Sequence, residues 1–313
     1  MKRLKVGIIG LGSMGKNHLR VLSMLKNIDL KFIYDIDSDQ IKSLGDNYEV
    51  HASKSLENDL QEIDAAIITT PTSTHYDYIK LVSRYVDNIF VEKPLTESLS
   101  TTQKVLELAK EKSLKIQVGF IERFNPAIVA LKKVINNTEQ VINFDITRTN
   151  KLSSRIKDVD VVTDMMIHDI DLALHFNGKV ESVEAYGVME DNMIAFARAT
   201  LKHENGSYSN LTASRITEKR IRQIFVTCKD MFIDCNLLSK EVFINKQTLV
   251  QSYKEVSITS KQETINVKPG EALLSELLSF TQYIQGEDND SSIPTAEAGL
   301  MAMEIAQNIQ EQI

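Results

Sequence analysis

Leu4-Lys5-Val6-Gly7-Ile8-Ile9-Gly10-Leu11-Gly12-Ser13-Met14-Gly15 decides how this chain folds. A short β-branched run, Leu4–Ile9, ends in three glycines spaced GxGxxG, and an amphipathic stretch, Met14–Leu25, follows. Strand, glycine turn and helix in that order have a physical logic. The first glycine permits the tight turn, the second lets a pyrophosphate approach the backbone, and the third allows helix to pack closely on strand. The helix N-terminus then offers free N–H groups and a positive dipole end to the phosphates. Alone, the pattern is a weak signal. Asp35 strengthens it, at the end of a second apolar run, Leu30–Tyr34. A carboxylate there accepts hydrogen bonds from the adenosine ribose hydroxyls and repels a 2′-phosphate. No Arg follows it in Asp35-Ile36-Asp37-Ser38-Asp39. The reading is therefore NAD rather than NADP, held by Gly10, Gly12, Ser13, Met14, Gly15 and Asp35.

The alternation continues outward from that stretch. Ala65–Ile68, Asn88–Val91 and Ile116–Val118 read as strands, and Gln40–Leu44, Thr74–Ser83 and Thr101–Lys110 as helices. Strand–helix alternation implies βαβ units and a parallel sheet covered on both faces. After Phe120 the character changes. Helices are expected at Pro126–Ile135 and Val161–Phe176, a strand at Val141–Thr147, and mostly strands from Val180 to Val267. Two helices, Ala272–Ile284 and Ala296–Gln310, close the chain. The expected fold is α/β: a doubly wound Rossmann domain over 1–120, then an α+β domain over 121–313 for substrate binding and oligomerisation.

The bulk properties agree. The 313 residues are 42% hydrophobic and 25% charged, enough for two cores. A net charge of -7 argues against broad binding to nucleic acid or anionic lipid. Cys228 and Cys235 are too few for a disulfide framework and read as reduced thiols. The apolar run after the basic Met1–Lys5 is too short for a signal peptide, and no stretch has the length of a membrane span. A cytoplasmic location follows by default.

Ligands of open parallel sheets bind at the carboxyl ends of strands. Thr70, Pro71 and Thr72 follow the third apolar strand run and form a short polar shelf, and Thr74 is placed to cap the next helix. His75 is either a ligand contact or an exposed first-turn residue; His18, inside the first helix, reads as structural. Glu92-Lys93-Pro94 follows Asn88–Val91. A lysine there is either a surface residue or a group that stabilises an alkoxide as hydride leaves it.

These motifs together resemble the glucose-fructose oxidoreductase / inositol dehydrogenase / MocA family over essentially the whole chain. The resemblance implies a C-terminal domain with a large, mostly antiparallel sheet and a homodimer or homotetramer assembled through that sheet. It implies that Thr70, Pro71, Thr72, His75, Glu92 and Lys93 join the cofactor site, and that Lys93 also touches substrate. Asp164 and His168 stand four apart on an expected helix, so they share one face. Spacing alone allows a surface pair or a general base oriented by a carboxylate. The resemblance implies the second: His168 as base, with Asp164 and Lys93 assisting. No third ligand accompanies them, so no metal is expected.

Gly119-Phe120-Ile121-Glu122-Arg123-Phe124-Asn125-Pro126-Ala127 is similar to a segment of the branch that oxidises the 3-hydroxyl of UDP-N-acetylglucosamine or its uronic acid. It implies Arg123, Asn125 and Arg155 as substrate contacts beside Lys93, Asp164 and His168. On residue type alone, Arg123 is either an anion clamp or a hinge ion-pair partner. Lys151-Leu152-Ser153-Ser154-Arg155 stands where the branch often carries a Gly-Pro-Phe-Pro-like stretch. Arg215, Lys219, Arg220 and Arg222 form a basic cluster, either a diphosphate site or a solvated sheet edge. The alternatives are a dehydrogenase of a free sugar or inositol and a non-catalytic NAD-binding regulator.

Overall fold

The computed structural model describes residues 3–151, 159–252, 255–286 and 293–313. The chain divides into two compact units: Met1–Ile121 with Leu273–Met303, and Glu122–Ala272 with Glu304–Ile313.

Unit 1 holds six parallel strands: β1 (Leu4–Ile9), β2 (Ile28–Tyr34), β3 (His51–Ala52), β4 (Ala65–Ile68), β5 (Asn88–Glu92) and β6 (Lys115–Gly119). Their order is β3-β2-β1-β4-β5-β6, the doubly wound arrangement expected. The connecting helices are α1 (Ser13–Met24), α2 (Ser38–Tyr48), α3 (Leu56–Leu60), α4 (His75–Val82) and α5 (Leu99–Lys112). β4 is buried at all four positions, as a central parallel strand covered on both faces must be. The two-residue β3 and the five-residue α3 were too short to show a period in the sequence.

The linear division at residue 120 places every later helix in the second domain. Space does otherwise with α8 (Ala272–Gln285). Leu273, Leu277 and Phe280, one stripe of that helix, lie in the same buried cluster as Leu4, Ile33 and Phe90. Backbone joins them too, since Val118 N–H donates to the Pro294 carbonyl at 2.7 Å. The helix α9 (Ala296–Glu311) is divided between the two units.

Unit 2 is built on eight strands: β7 (Val141–Thr149), β8 (Val180–Glu190), β9 (Met193–His203), β10 (Tyr208–Ser214), β11 (Ile221–Cys228), β12 (Phe232–Asn236), β13 (Glu241–Ser252) and β14 (Glu255–Ile265). The order is β14-β13-β12-β11-β7-β10-β9-β8, and every pairing is antiparallel except β7 with β10. The helices α6 (Pro126–Ile135) and α7 (Ile167–Asn177) belong to this unit. Strand residues alternate: Phe144, Ile146, Leu211, Ile224 and Val226 are buried, while Tyr186, Tyr208 and Phe225 are exposed. Among the described residues no helix is long and apolar enough to cross a membrane.

Candidate active site

Unit 1 carries a cleft of about 660 Å³ at the carboxyl ends of its strands. Gly10, Gly12 and Met14 line it from the turn after β1, and Tyr34, Asp35, Ile36 and Asp37 from the end of β2. Thr69, Thr70 and Pro71 follow β4, and Glu92 and Lys93 stand at the end of β5. The turn has the backbone that a dinucleotide needs. Gly10 has φ +94°, and a Cβ there would meet the Thr70 N at 2.7 Å. A Cβ at Gly15 would collide with the Gly10 carbonyl, so helix and turn approach as only glycine allows. A Cβ at Gly12 would meet nothing within 4 Å: that backbone faces open space on the cleft. The first turn of α1 has no acidic residue and no side-chain cap, which leaves its N–H groups for an anion.

Asp35 is fixed before any ligand arrives. One carboxylate oxygen accepts the Leu11 N–H at 2.5 Å, and the other accepts the Asp37 N–H at 3.0 Å. Each oxygen keeps a second lone pair for a ribose hydroxyl. Among the described residues Lys93, at the far end, is the only cation lining the cleft, and none beside Asp35 would welcome a 2′-phosphate. Residues fitting NAD are therefore in place. Tyr34, Ile36, Gln40, Thr69 and Tyr78 also line the cleft and were not singled out from the sequence; no motif marks them.

Ser13, Gly15, Thr72 and His75 do not line the cleft. His75 is buried, with Nδ1 3.0 Å from the Pro94 carbonyl and Nε2 2.9 Å from the Thr70 carbonyl. It ties the shelf after β4 to the turn after Lys93. Burial holds its pKa below the ordinary 6.5, against the pull of those two carbonyls. Thr74 does not cap α4; its hydroxyl donates to the Pro71 carbonyl and lies 2.9 Å from Thr70 Oγ1. His18 is fully buried and meets Glu92, as its structural reading expected.

In unit 2 the helix carrying Asp164 and His168 is not uniform. Val162–Met166 forms a π turn, closed by the Ile167 N–H on the Val162 carbonyl, before α7 begins. Asp160 caps that turn, its Oδ1 accepting from Val162 N and Thr163 N at 2.8 and 2.9 Å. The straight helical face expected for Asp164 and His168 is thus interrupted by one wide turn, a feature common at functional sites. Asp164 lies 3.6 Å from Nη2 of the buried Arg215, a neighbour that sequence spacing does not reveal.

Two buried ion pairs anchor α7 within three residues after His168. Arg148 on β7 donates from Nε and Nη2 to Asp169 at 2.8–3.0 Å and from Nη1 to Glu122 at 2.8 Å. Arg123 makes a fork on Asp171 at 2.8 and 2.5 Å, with both side chains buried. Burial raises the Glu122 carboxyl, but Arg148 and Arg222 outweigh it and hold it below the ordinary 4.5. The Arg123 guanidinium expected to clamp substrate is therefore committed to Asp171. Asn125, the other expected contact, caps α6 through Ala127 N and donates to Glu122 and the Leu237 carbonyl. The basic cluster also divides: Arg215 is buried, Arg222 pairs with Glu122, and Lys219 and Arg220 are exposed. Arg155 lies outside the described residues.

Residues 4–120 match the model of an oxidoreductase family with an NAD-binding Rossmann fold, and residues 142–232 match the Gfo/Idh/MocA C-terminal domain. The chain is 32% identical to the uncharacterized oxidoreductase YrbE of Bacillus subtilis over 235 residues, 68% of each protein. The chain belongs to the Gfo/Idh/MocA family. It is an NAD-dependent oxidoreductase, and the NAD-binding model covers residues 4–120 of unit 1. It is also 27% identical over 248 residues to a UDP-N-acetylglucosamine 3-dehydrogenase of Acidithiobacillus ferrooxidans, covering 78% of this chain and 77% of that one. The solved structure of UDP-N-acetylglucosamine 3-dehydrogenase GnnA from that organism matches with a TM-score of 0.89 at 24% identity, over 100% of this chain and 98% of the other, which is agreement of fold.

Proposed function

We propose that this Gfo/Idh/MocA oxidoreductase oxidises a secondary hydroxyl of a nucleotide sugar, the 3-hydroxyl of a UDP-N-acetylhexosamine or its uronic acid. The observation that carries the proposal is the similarity to the Acidithiobacillus UDP-N-acetylglucosamine 3-dehydrogenase across 77% of that enzyme. Bound NAD supplies the hydride acceptor. His168 takes the hydroxyl proton, with Asp164, four residues earlier, to orient the ring and stabilise the imidazolium. Lys93 donates a hydrogen bond to the substrate oxygen and stabilises the negative charge that grows there. Gly10, Gly12, Met14, Asp35, Thr70, Pro71 and Glu92 hold the cofactor, and Arg155 remains the expected contact to the nucleotide sugar. Arg123 and Asn125 support the helix and the turn around these groups rather than the substrate itself.

The second unit also supports self-association. Tyr186 on β8 is 73% exposed, and Val188, Tyr208, Phe225 and Phe232 share its open sheet face. A second copy of this chain is the proposed occupant. The substrate test is direct. Purified enzyme and NAD are offered UDP-N-acetylglucosamine, its uronic acid, free N-acetylglucosamine and myo-inositol, and NADH and product mass are followed. NADH formation with a UDP-sugar and a product two hydrogens lighter support the proposal. Turnover confined to the free sugar or inositol would overturn it.

A further inference from the structure

Glu92 ends β5 with its carboxylate held from two sides. Oε1 lies 2.8 Å from Nε2 of His18, and Oε2 accepts the Lys93 N–H at 3.2 Å. Gly119 makes the wall, since a Cβ there would stand 2.8 Å from Oε2. His18 itself is fully buried on α1 and sits edge-on to Phe90, with ring centroids 5.1 Å apart. A carboxylate only accepts hydrogen bonds, so the ring proton belongs on Nε2. His18 Nδ1 has no hydrogen-bond partner among the described residues. The His18 ring therefore fixes Glu92 in place from α1.

Glu92 and Lys93 line the same end of the cleft. Asp35 marks the other end, and the glycine turn lies between them, because the strand order is β2-β1-β4-β5. With the adenosine ribose at Asp35 and the pyrophosphate at the turn, the nicotinamide belongs at the Glu92–Lys93 end. Oxidised nicotinamide is a cation and the reduced ring is neutral. An ammonium group beside it disfavours the oxidised form, and a fixed carboxylate offsets that repulsion. We propose that Glu92, clamped by His18, is the counter-charge that lets this cleft hold oxidised NAD next to Lys93, and so sets the ratio of NAD+ to NADH affinity. His18 is a positioning residue in this arrangement. The inference rests on the assignment of the cleft to NAD and is independent of which sugar is oxidised.

The test is equilibrium binding without substrate: NADH titrated by its fluorescence, NAD+ by its displacement of NADH. Glu92→Gln preserves the shape of the side chain and removes its charge. It is expected to raise the ratio Kd(NAD+)/Kd(NADH) by about 5–30-fold, on the Coulomb strength of a nearby charge at a partly screened site. His18→Leu, which removes the clamp, is expected to shift the ratio the same way by a smaller factor, and His18→Gln, which restores a donor, to bring it back. The His18 pair carries the test should Glu92→Gln fail to fold. A ratio unchanged in these variants, with both cofactor forms weakened equally, would overturn the inference alone. A wild-type protein that binds neither form would overturn the cofactor assignment and the inference with it.

Discussion

At the scale of single residues, the site is a set of side chains committed before ligand binds. Asp35 shows this most plainly. Its two oxygens are oriented by Leu11 N and Asp37 N, so on the proposed reading ribose hydroxyls would meet a carboxylate that has no freedom left to lose. Asp35→Ala removes two charge-assisted acceptors and the repulsion of a 2′-phosphate. NADH binding should weaken by about 10–100-fold, with a smaller loss or a gain for NADPH. Fluorescence titration with both cofactors measures this, and an unchanged NADH-to-NADPH ratio would remove Asp35 from the ribose role. The place of Asp35 on the cleft was legible in the sequence because it depends on local register after one glycine turn. Arg123 and Asn125 were not. Their residue types fit a substrate site equally well, and the partners that decide their roles, Asp171 and the Leu237 carbonyl, lie 48 and 112 residues away.

At the scale of elements, α7 is held just after His168 by charge rather than by apolar packing alone. Arg148 reaches it from β7 through Asp169, and Arg123 through Asp171. Buried ion pairs of this kind are weak evidence for stability, yet breaking one strands a charge at a cost of about 3–5 kcal/mol. Glu122 completes the Arg148 group, and its folded pKa lies below the ordinary 4.5. Its contribution is therefore present above 4.5 and lost as pH falls through the depressed folded value. Glu122→Gln should lower stability at neutral pH by about that 3–5 kcal/mol, and the gap to wild type should narrow as pH drops below 4.5. Denaturant melts across that range test it; a gap independent of pH would mean that the Glu122 charge contributes nothing. The sequence showed the helix carrying His168 but not its π turn, because an apolar run gives a helical period without revealing an inserted residue. The short β3 and α3 were missed for a related reason: a period cannot be read from two or five residues.

At the scale of the whole molecule, strand order was legible where local connections set it and chain order was misleading where they do not. The Rossmann order follows from successive βαβ units. The place of α8 does not, since Leu273, Leu277 and Phe280 return to a core begun by Leu4. The open face of the eight-stranded sheet is a second global feature. Phe225 and Phe232 stack there at 5.7 Å, and Asn210 bridges Asn143 and Asp145 beside them. An apolar and polar mosaic of this kind fits an interface with a second copy of the chain. The double substitution Tyr186→Glu with Phe225→Glu should halve or quarter the mass seen by light scattering while leaving NADH binding in unit 1 intact. An unchanged mass, with wild type already larger than one chain, would place the interface elsewhere.

We propose a dehydrogenase whose substrate proton leaves through His168 while the cofactor is held in unit 1. The most direct measurement compares wild type and His168→Ala by NADH binding and by the rate of NADH formation with a UDP-sugar substrate. The account predicts equal NADH affinity and a turnover lower by at least about 100-fold in the variant. Turnover close to wild type in His168→Ala, with NADH still bound, would contradict it.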